Sequence, residues 1–386
     1  MCPQAQRWWE PTGSCDHKGR ADPARSAHYT FFRRRLFFLF PATARANRHA
    51  ADKWARRGRP RPNYLSVTDS HAKSAAFARG FFTFLESRQV RSAILHGGAD
   101  GFKRELSDVD FVVDHPTFSE LPALIGKYCA LAGWQLCQVL RHETTAAYFV
   151  CSAIDDPSCA VALDACSDYQ RNGTVFLHSD NLLENRRPLP WGGHGLSPVT
   201  ELRYRFAKAA AKNKDVEASA AEFATYPEQV RNECTTWLEE QWGIHPDSWD
   251  GDGLTAAFTQ LRSRSNSRPP LIQKGALGRI LRRLHHPTGL IVIAGRDDFD
   301  LAAARLESIF GHLYFRRFKK SNSARASMLK DLVSSCLIIV PELGTLWRKT
   351  LPPNCIHRLN PAHDPCTQSR ELAKHLHERC VKREGV

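Results

Sequence analysis

Short apolar runs separated by stretches of helical period constrain this chain more than any other feature. The runs at 93–95, 109–113, 161–165, 290–294 and 336–340 are three to five residues long, the length of strands rather than of helices. Between them apolar residues recur at helical spacing. Phe77, Phe81, Phe82 and Leu85 do so in one stretch, and Val230, Cys234, Trp237, Leu238 and Trp242 in another. Strands and helices mixed in this way predict an α/β protein in which helices cover mixed sheets.

A length of 386 residues predicts two or three domains. The first helix is expected near Asp69 or Ser70, either of which would cap it. A strand at 93–95 ends in His96-Gly97-Gly98, and a second strand follows at 109–113. A helix over 118–131 then leads to strands at 134–140 and 146–154. The turn residues Asp155-Asp156-Pro157-Ser158 join the last of these to 159–165 as a hairpin. The Pro- and Gly-rich stretch 188–198 reads as a linker, and helices follow over about ninety residues. Residues 263–270 read as a second linker, before a short basic helix at 274–284. The last region holds a strand at 290–294, a helix at 299–310, a strand at 336–340 and a helix at 367–381. The expected domains are a disordered basic leader (1–62), an α/β domain (63–187), a helical region (188–286) and a smaller α/β domain (287–386).

The formal charge of +14 is unevenly spread. Residues 1–62 hold 14 Lys and Arg against 4 Asp and Glu, a net of +10, and the remainder holds 40 against 36, a net of +4. The basicity belongs to the leader, so no specific nucleic-acid binding follows from it. The 12 cysteines include no C-x-x-C pair, which argues against a cysteine zinc site and leaves reduced thiols in a cytoplasmic protein as the reading. No stretch approaches the ~18–20 apolar residues of a membrane span. The apolar core after Arg33-Arg34-Arg35 is five residues, below the ~7–15 of a signal peptide.

Chemistry concentrates between Ile94 and Val113: strand, glycine pair, loop, then a strand with two carboxylates two residues apart. Side chains alternate along a strand, so Asp108 and Asp110 face the same way. Paired carboxylates repel unless a cation lies between them, and Mg²⁺ is held by a few carboxylates together with phosphate oxygens. Gly97 and Gly98 would let a phosphate chain approach the backbone, and the Ser107 hydroxyl would reach a phosphate oxygen. A third acid is expected on a neighbouring strand. Asp164 fits, because a charge inside the apolar run 161–165 is otherwise costly; Asp155, Asp156 and Asp168 are its rivals. Three such acids would form a two-metal site for in-line displacement at an α-phosphate, with Asp164 taking the proton of the attacking hydroxyl. Lys103 and Arg104 would flank a triphosphate. Tyr204, Lys208 and Lys212 share one helix face by their spacing. That face would either neutralise departing pyrophosphate or simply meet solvent. His96 reads as local packing.

The string HGG-x9-DVD at 96–110, followed by a strand-borne Asp, resembles the nucleotidyltransferase superfamily of the DNA polymerase beta type. The phrases QVLRH (138–142), LDACSDY (163–169) and RNG (171–173) and the Lys-bearing helix at 201–214 narrow the likeness. They are similar to those of a bacterial group often encoded among polysaccharide biosynthesis genes. In that group the transferase unit is followed by helices and a thymidylate-kinase-like domain. The likeness covers roughly 70–386 and is strongest over 90–215. It implies transfer of a nucleoside monophosphate from an NTP, with two Mg²⁺ ions, to an acceptor hydroxyl or phosphate, such as that of a sugar or glycan precursor. A catalytically inactive scaffold is the alternative, and a protein-modifying or toxin-neutralising transferase is a third reading, disfavoured because its relatives are shorter. At 289–301 the kinase phosphate loop would need G-x-x-x-x-G-K-[ST]. Gly295 stands there, but Asp297, Asp298 and Asp300 follow instead of Lys and Ser or Thr, so this domain is expected to be a shortened, inactive remnant.

Overall fold

The computed structural model describes residues 67–102, 108–171, 173–267, 287–296, 299–311, 314–315, 317–321 and 327–386. The leader 1–62, the basic helix expected at 274–284, and Lys103, Arg104, Ser107, Asp297 and Asp298 lie outside the described residues. The described chain is mixed α/β, with a seven-stranded mixed sheet, a four-stranded parallel sheet and a two-stranded ribbon.

The seven-stranded sheet is built from α1 (Val67–Ser87), β1 (Ser92–Ile94), β2 (Val109–Val113), α2 (His115–Ala132), β3 (Trp134–Arg141), β4 (Ala146–Ala153) and β5 (Ala160–Cys166). After the ribbon β6 (Tyr169–Arg171) and β7 (Thr174–Leu177) and the short helix α3 (Ser179–Leu183), two short strands complete it. These are β8 (Arg187–Pro188) and β9 (His194–Gly195). The strand order is β3-β4-β5-β2-β1-β9-β8. β3, β4 and β5 form an antiparallel meander, whereas β2 runs parallel to β5.

One boundary differs from expectation for a local reason. α2 opens at His115 rather than near 118, because the Asp114 carboxylate accepts from the Thr117 N–H at 2.8 Å and Pro116 sits in the first turn. Asp69 and Ser70 lie inside α1, whose described range begins at Val67. The stretch 188–198 is not a linker. Leu189 and Leu196 are buried, Gly192 and Gly193 turn the chain at positive φ, and the flanks pair as the β8–β9 hairpin. Residues 263–267 are likewise helical, continuing α7.

Strand pleating distributes side chains between two cores. Val109, Phe111 and Val113 of β2 and Val161, Leu163 and Ala165 of β5 pack beneath α1 and α2, with Phe81, Phe82 and Phe118. Val112 and Cys166 face the opposite side, against α4 (Pro198–Lys212), α6 (Glu228–Trp242) and α7 (Gly251–Ser267), with α5 (Val216–Phe223) beside them. Asp110 and Asp164 share the parity of Val112 and Cys166, so they belong to the face that α4 covers.

The four-stranded sheet consists of β10 (Leu290–Ile293), β11 (Arg317–Lys320), β12 (Cys336–Val340) and β13 (Ile356–Arg358), in the order β11-β12-β10-β13. All its pairings are parallel. α8 (Phe299–Phe310), α9 (Ser327–Val333), α10 (Thr345–Thr350) and α11 (Pro365–Glu384) accompany it. Leu290, Val292, Leu337 and Ile339 share a core with Cys137 and Val150 of the larger sheet. Ile291, Ile293, Ile338 and Val340 fill the other face. Cover on both faces is what parallel sheets require. Among the described residues no helix is long and apolar enough to cross a membrane, and ten cysteines are free thiols, with only Cys366 exposed.

Candidate functional site

Register brings the acids together. In the parallel β2–β5 pair, Asp110 stands directly opposite Asp164, and Asp108 immediately precedes β2 on the same side of the pleat. Asp108, Asp110 and Asp164 each offer a carboxylate oxygen within 4.8 Å of the other two, a cluster that could hold a metal ion. The rival acids lie elsewhere. Asp156 caps the β4–β5 turn by accepting from Ser158 N–H at 3.0 Å. The buried Asp168 accepts from Ser179 N–H at 2.9 Å and lies 3.2 Å from His115. Asp155 belongs to the same turn as Asp156, beyond the far end of β5.

Charge in the cluster is unevenly compensated. Lys208 of α4, buried on the covered face, donates to Asp110 at 2.6 Å. His96 Nε2 lies 2.7 Å from the same oxygen and 2.8 Å from the Lys208 ammonium. Burial alone would raise the Asp110 carboxyl, but the His96 hydrogen bond and the Lys208 charge overcome it and hold the group well below the usual carboxylate range. Asp164 goes the other way. Burial first, then the charges of Asp110 and Asp108, push its carboxyl well above the usual value. Across the hairpin, Tyr148 pairs with Asp164. Its phenol is raised by burial and then by all three carboxylates, and His142 Nε2 lies 3.8 Å from Asp164. Within the cluster Asp110 is therefore well compensated and Asp164 poorly so.

The donor set suits a hard divalent cation. Its three groups are all carboxylate oxygens, the chemistry that Mg²⁺ and Mn²⁺ prefer over softer metals. Opposite ligands of one Mg²⁺ are ~4.2 Å apart, so a cluster spread over at most 4.8 Å is near the span of one ion.

The glycine pair behaves as two different devices. Gly97 has φ +75° and open space where a Cβ would stand, so backbone conformation requires it. At Gly98 a Cβ would come within 3.0 Å of the Ile94 side chain, so close packing requires it. Both border a cleft of about 260 Å³ also lined by His96, Arg187, Glu201 and Arg205. The two arginines are already engaged: Arg187 with Glu201 at 3.0 Å, and Arg205 with Glu201 at 2.9 Å and with Glu222.

The α4 face that the spacing defines splits into three roles. Tyr204 is buried, Lys208 reaches Asp110 and passes 5.2 Å from the Tyr204 ring centre, and Lys212 is exposed at the rim. The Lys212 head group is nevertheless crowded: desolvation, then the like charge of Lys208, lowers its ammonium. His96 is not mere packing, since it closes a triangle with Asp110 and Lys208. Its place directly before the glycine pair was the available signal. Tyr148 was findable by counting back along the hairpin from its turn to the residue opposite Asp164. No family model, curated protein or solved structure matches the chain, and its functional reading therefore rests on the geometry of these side chains.

Proposed function

We propose that this chain is a Mg²⁺-dependent nucleotidyltransferase of the DNA polymerase beta type, moving a nucleoside monophosphate from an NTP to an acceptor hydroxyl or phosphate. The observation that carries this reading is the convergence of Asp108, Asp110 and Asp164 from two strands in register. A bound Mg²⁺ would supply Lewis-acid polarisation of the α-phosphate and neutralise the triphosphate. Asp108 and Asp110 would hold it, together with Asp164.

The chain's own residues account for the remaining needs of the reaction. Gly97 and Gly98 leave the backbone bare where a phosphate chain would pass. Lys208 holds Asp110 ionised. Asp164, whose proton affinity is raised, is suited to take the proton of the acceptor hydroxyl as its oxygen bonds to the α-phosphorus. The bond from that phosphorus to the bridging oxygen breaks, and pyrophosphate leaves with the electron pair. Lys212, at the rim, is placed to meet that charge. Assigning a sugar or glycan precursor as acceptor, and a degenerate thymidylate-kinase-like domain to the C-terminal sheet, rests on the resemblance in sequence.

The test is transfer of label from α-labelled NTPs to material in a cell extract in the presence of Mg²⁺, with Asp108→Asn as control. Label that Asp108→Asn transfers equally well would refute the proposal. A second reading, a non-catalytic module, draws on the Lys208–His96–Asp110 triangle, which already satisfies one of the three acids. It forecasts no thermal stabilisation by ATP, CTP, GTP or UTP with Mg²⁺, whereas the transferase reading forecasts stabilisation by at least one.

A further inference from the structure

The seam between the two sheets contains a second cleft, of about 410 Å³, remote in sequence from the acid cluster. Gln138 of β3 lines one side; Pro287, Pro352, Pro353 and Asn354, at the N-terminal ends of β10 and β13, line the other. Arg379, Lys382 and Arg383 of the last turns of α11 complete it.

The three cations are not equivalent. Arg383 is accounted for: it donates to Val139 O at 2.7 Å and pairs with Glu384 at 2.9 Å. Glu384 is in turn shared with Arg141 at 3.1 Å. Arg379 spends one nitrogen, Nη2, on the carbonyls of Pro287 at 2.8 Å and Gly289 at 3.0 Å. Its Nη1 is buried and has no hydrogen-bond partner among the described residues. Burial pushes the Arg379 guanidinium down to about 10, and the groups opposing that shift are the Cys355 and Cys380 thiols rather than a carboxylate. A deeply set cation without a counter-anion is costly, and a guanidinium does not relieve the cost by losing its proton. Lys382 adds a second, exposed positive charge at the mouth. The Asn354 Oδ1 accepts from the Cys355 thiol at 3.6 Å, which leaves its amide NH₂ as a neutral donor.

We infer that this cleft is a binding site for a small phosphate monoester, its phosphate held by the Arg379 guanidinium and Lys382 and its apolar body lying along Pro352 and Pro353. The volume falls in the range of small-molecule sites, ~300–1,000 Å³. Charge-assisted hydrogen bonds from guanidinium and ammonium are the strongest recognition a phosphate finds in proteins. Because the cleft is walled by both sheets, an occupant bridges them, and binding strengthens the seam.

The probe is phenyl phosphate, titrated into the full chain by calorimetry in EDTA, with inorganic phosphate as competitor. One saturable site per chain is expected, with Kd below about 1 mM and displaced by inorganic phosphate. Arg379→Lys, which keeps the charge but loses the planar donor set, should weaken it at least ~10-fold. Lys382→Glu, a surface change that leaves the seam intact, should weaken it by a similar factor and keeps the test decisive if Arg379→Lys misfolds. Lys208→Met, at the acid cluster, should leave phenyl phosphate binding unaltered. The inference is overturned by absence of saturable binding, by binding indifferent to Lys382→Glu, or by binding that Lys208→Met abolishes.

Discussion

β2 and β5 of the larger sheet and β10 and β12 of the smaller one occupy comparable central positions, yet they are filled in opposite ways. β10 and β12 are apolar and buried from end to end. β2 and β5 are apolar except for Asp110 and Asp164, which stand opposite one another. A carboxylate in a strand centre costs several kcal/mol on the order given for poorly compensated buried charge, and the pocket's own cations serve Asp110 far better than Asp164. The comparison teaches that the larger sheet tolerates instability at one spot, as sites for charged ligands do, whereas the smaller is organised for packing. Just past the carboxyl end of β10 an exposed Arg296–Glu342 pair forms at 2.6 Å, and Asp300 of α8 pairs with Lys320.

The sharpest way to break the comparison is through activity. On the proposed function, Asp108→Asn should lower nucleotidyl transfer at least ~1,000-fold, about 4 kcal/mol of barrier. Asp108 is exposed, so the variant's melting temperature should barely move. Asp300→Asn, in the smaller body, should leave transfer within about twofold. Pyrophosphate release measures both, and an equal response to the two variants would erase the distinction between the sheets.

Stability provides the next contrast. Ile338, fully buried at the centre of β12, should cost about 2–5 kcal/mol when changed to Ala. Asp164→Asn should do the reverse in EDTA and stabilise the protein by about 1 kcal/mol or more. The sign follows from the raised Asp164 carboxyl. Between its unfolded value and its higher folded value the native state binds more protons than the unfolded state, so stability falls as pH rises through that window. Asparagine removes the slope. Divalent metal should stabilise the wild type and leave Asp164→Asn less affected. Denaturant melts with and without Mg²⁺ at two pH values separate these outcomes.

The smaller sheet has a pH response of its own, with the opposite sign. Burial, then the neighbouring His375, pushes the His357 imidazole on β13 down to about 4. A histidine depressed in the fold contributes stability that is complete above its unfolded value near 6.5 and is lost as pH falls toward 4. The loss should be on the order of 1–3 kcal/mol. His357→Gln should flatten that dependence. Urea melts at pH 7 and pH 5 are the measurement, and an unchanged slope in the variant would remove His357 from the account.

How far all this was readable in the sequence depends on whether local pattern or long-range pairing decides. The strands at 109–113 and 336–340 and the hairpin at Asp156 are fixed by short apolar runs and turn residues, and they stand where pattern puts them. The parity of Asp108 and Asp110 is likewise a local property. That Asp164 meets them depends on β5 lying beside β2 with 110 opposite 164, which no local signal specifies; only the cost of a charge in an apolar run pointed that way. Lys208 was ambiguous for the same reason, since its helix face is local but the partner it meets is not. The 188–198 stretch misled because Pro and Gly mark loops, and here two two-residue strands are anchored by the buried Leu189 and Leu196 and by Trp191, which donates to Gly98 O at 2.6 Å.

The smallest effect sharpens the comparison most cleanly, because two glycines sit in matched places. Gly97 follows β1 at φ +75° and Gly295 follows β10 at φ +78°, and neither would meet any atom within 4 Å if given a Cβ. Sterically the two substitutions to Ala are equivalent, and each should cost about 1 kcal/mol because an L-residue resists the left-handed region. Urea midpoints at constant m-value should therefore shift alike. Function should not. Gly97→Ala places a methyl beside the cleft that His96 and Gly98 line and should weaken thermal stabilisation by Mg²⁺-NTP several-fold, about 1 kcal/mol. Gly295→Ala should leave that response untouched. Matching losses of nucleotide response in the two variants would mean that the loop after β10 still takes part in nucleotide binding, and that the two sheets are not divided in labour after all.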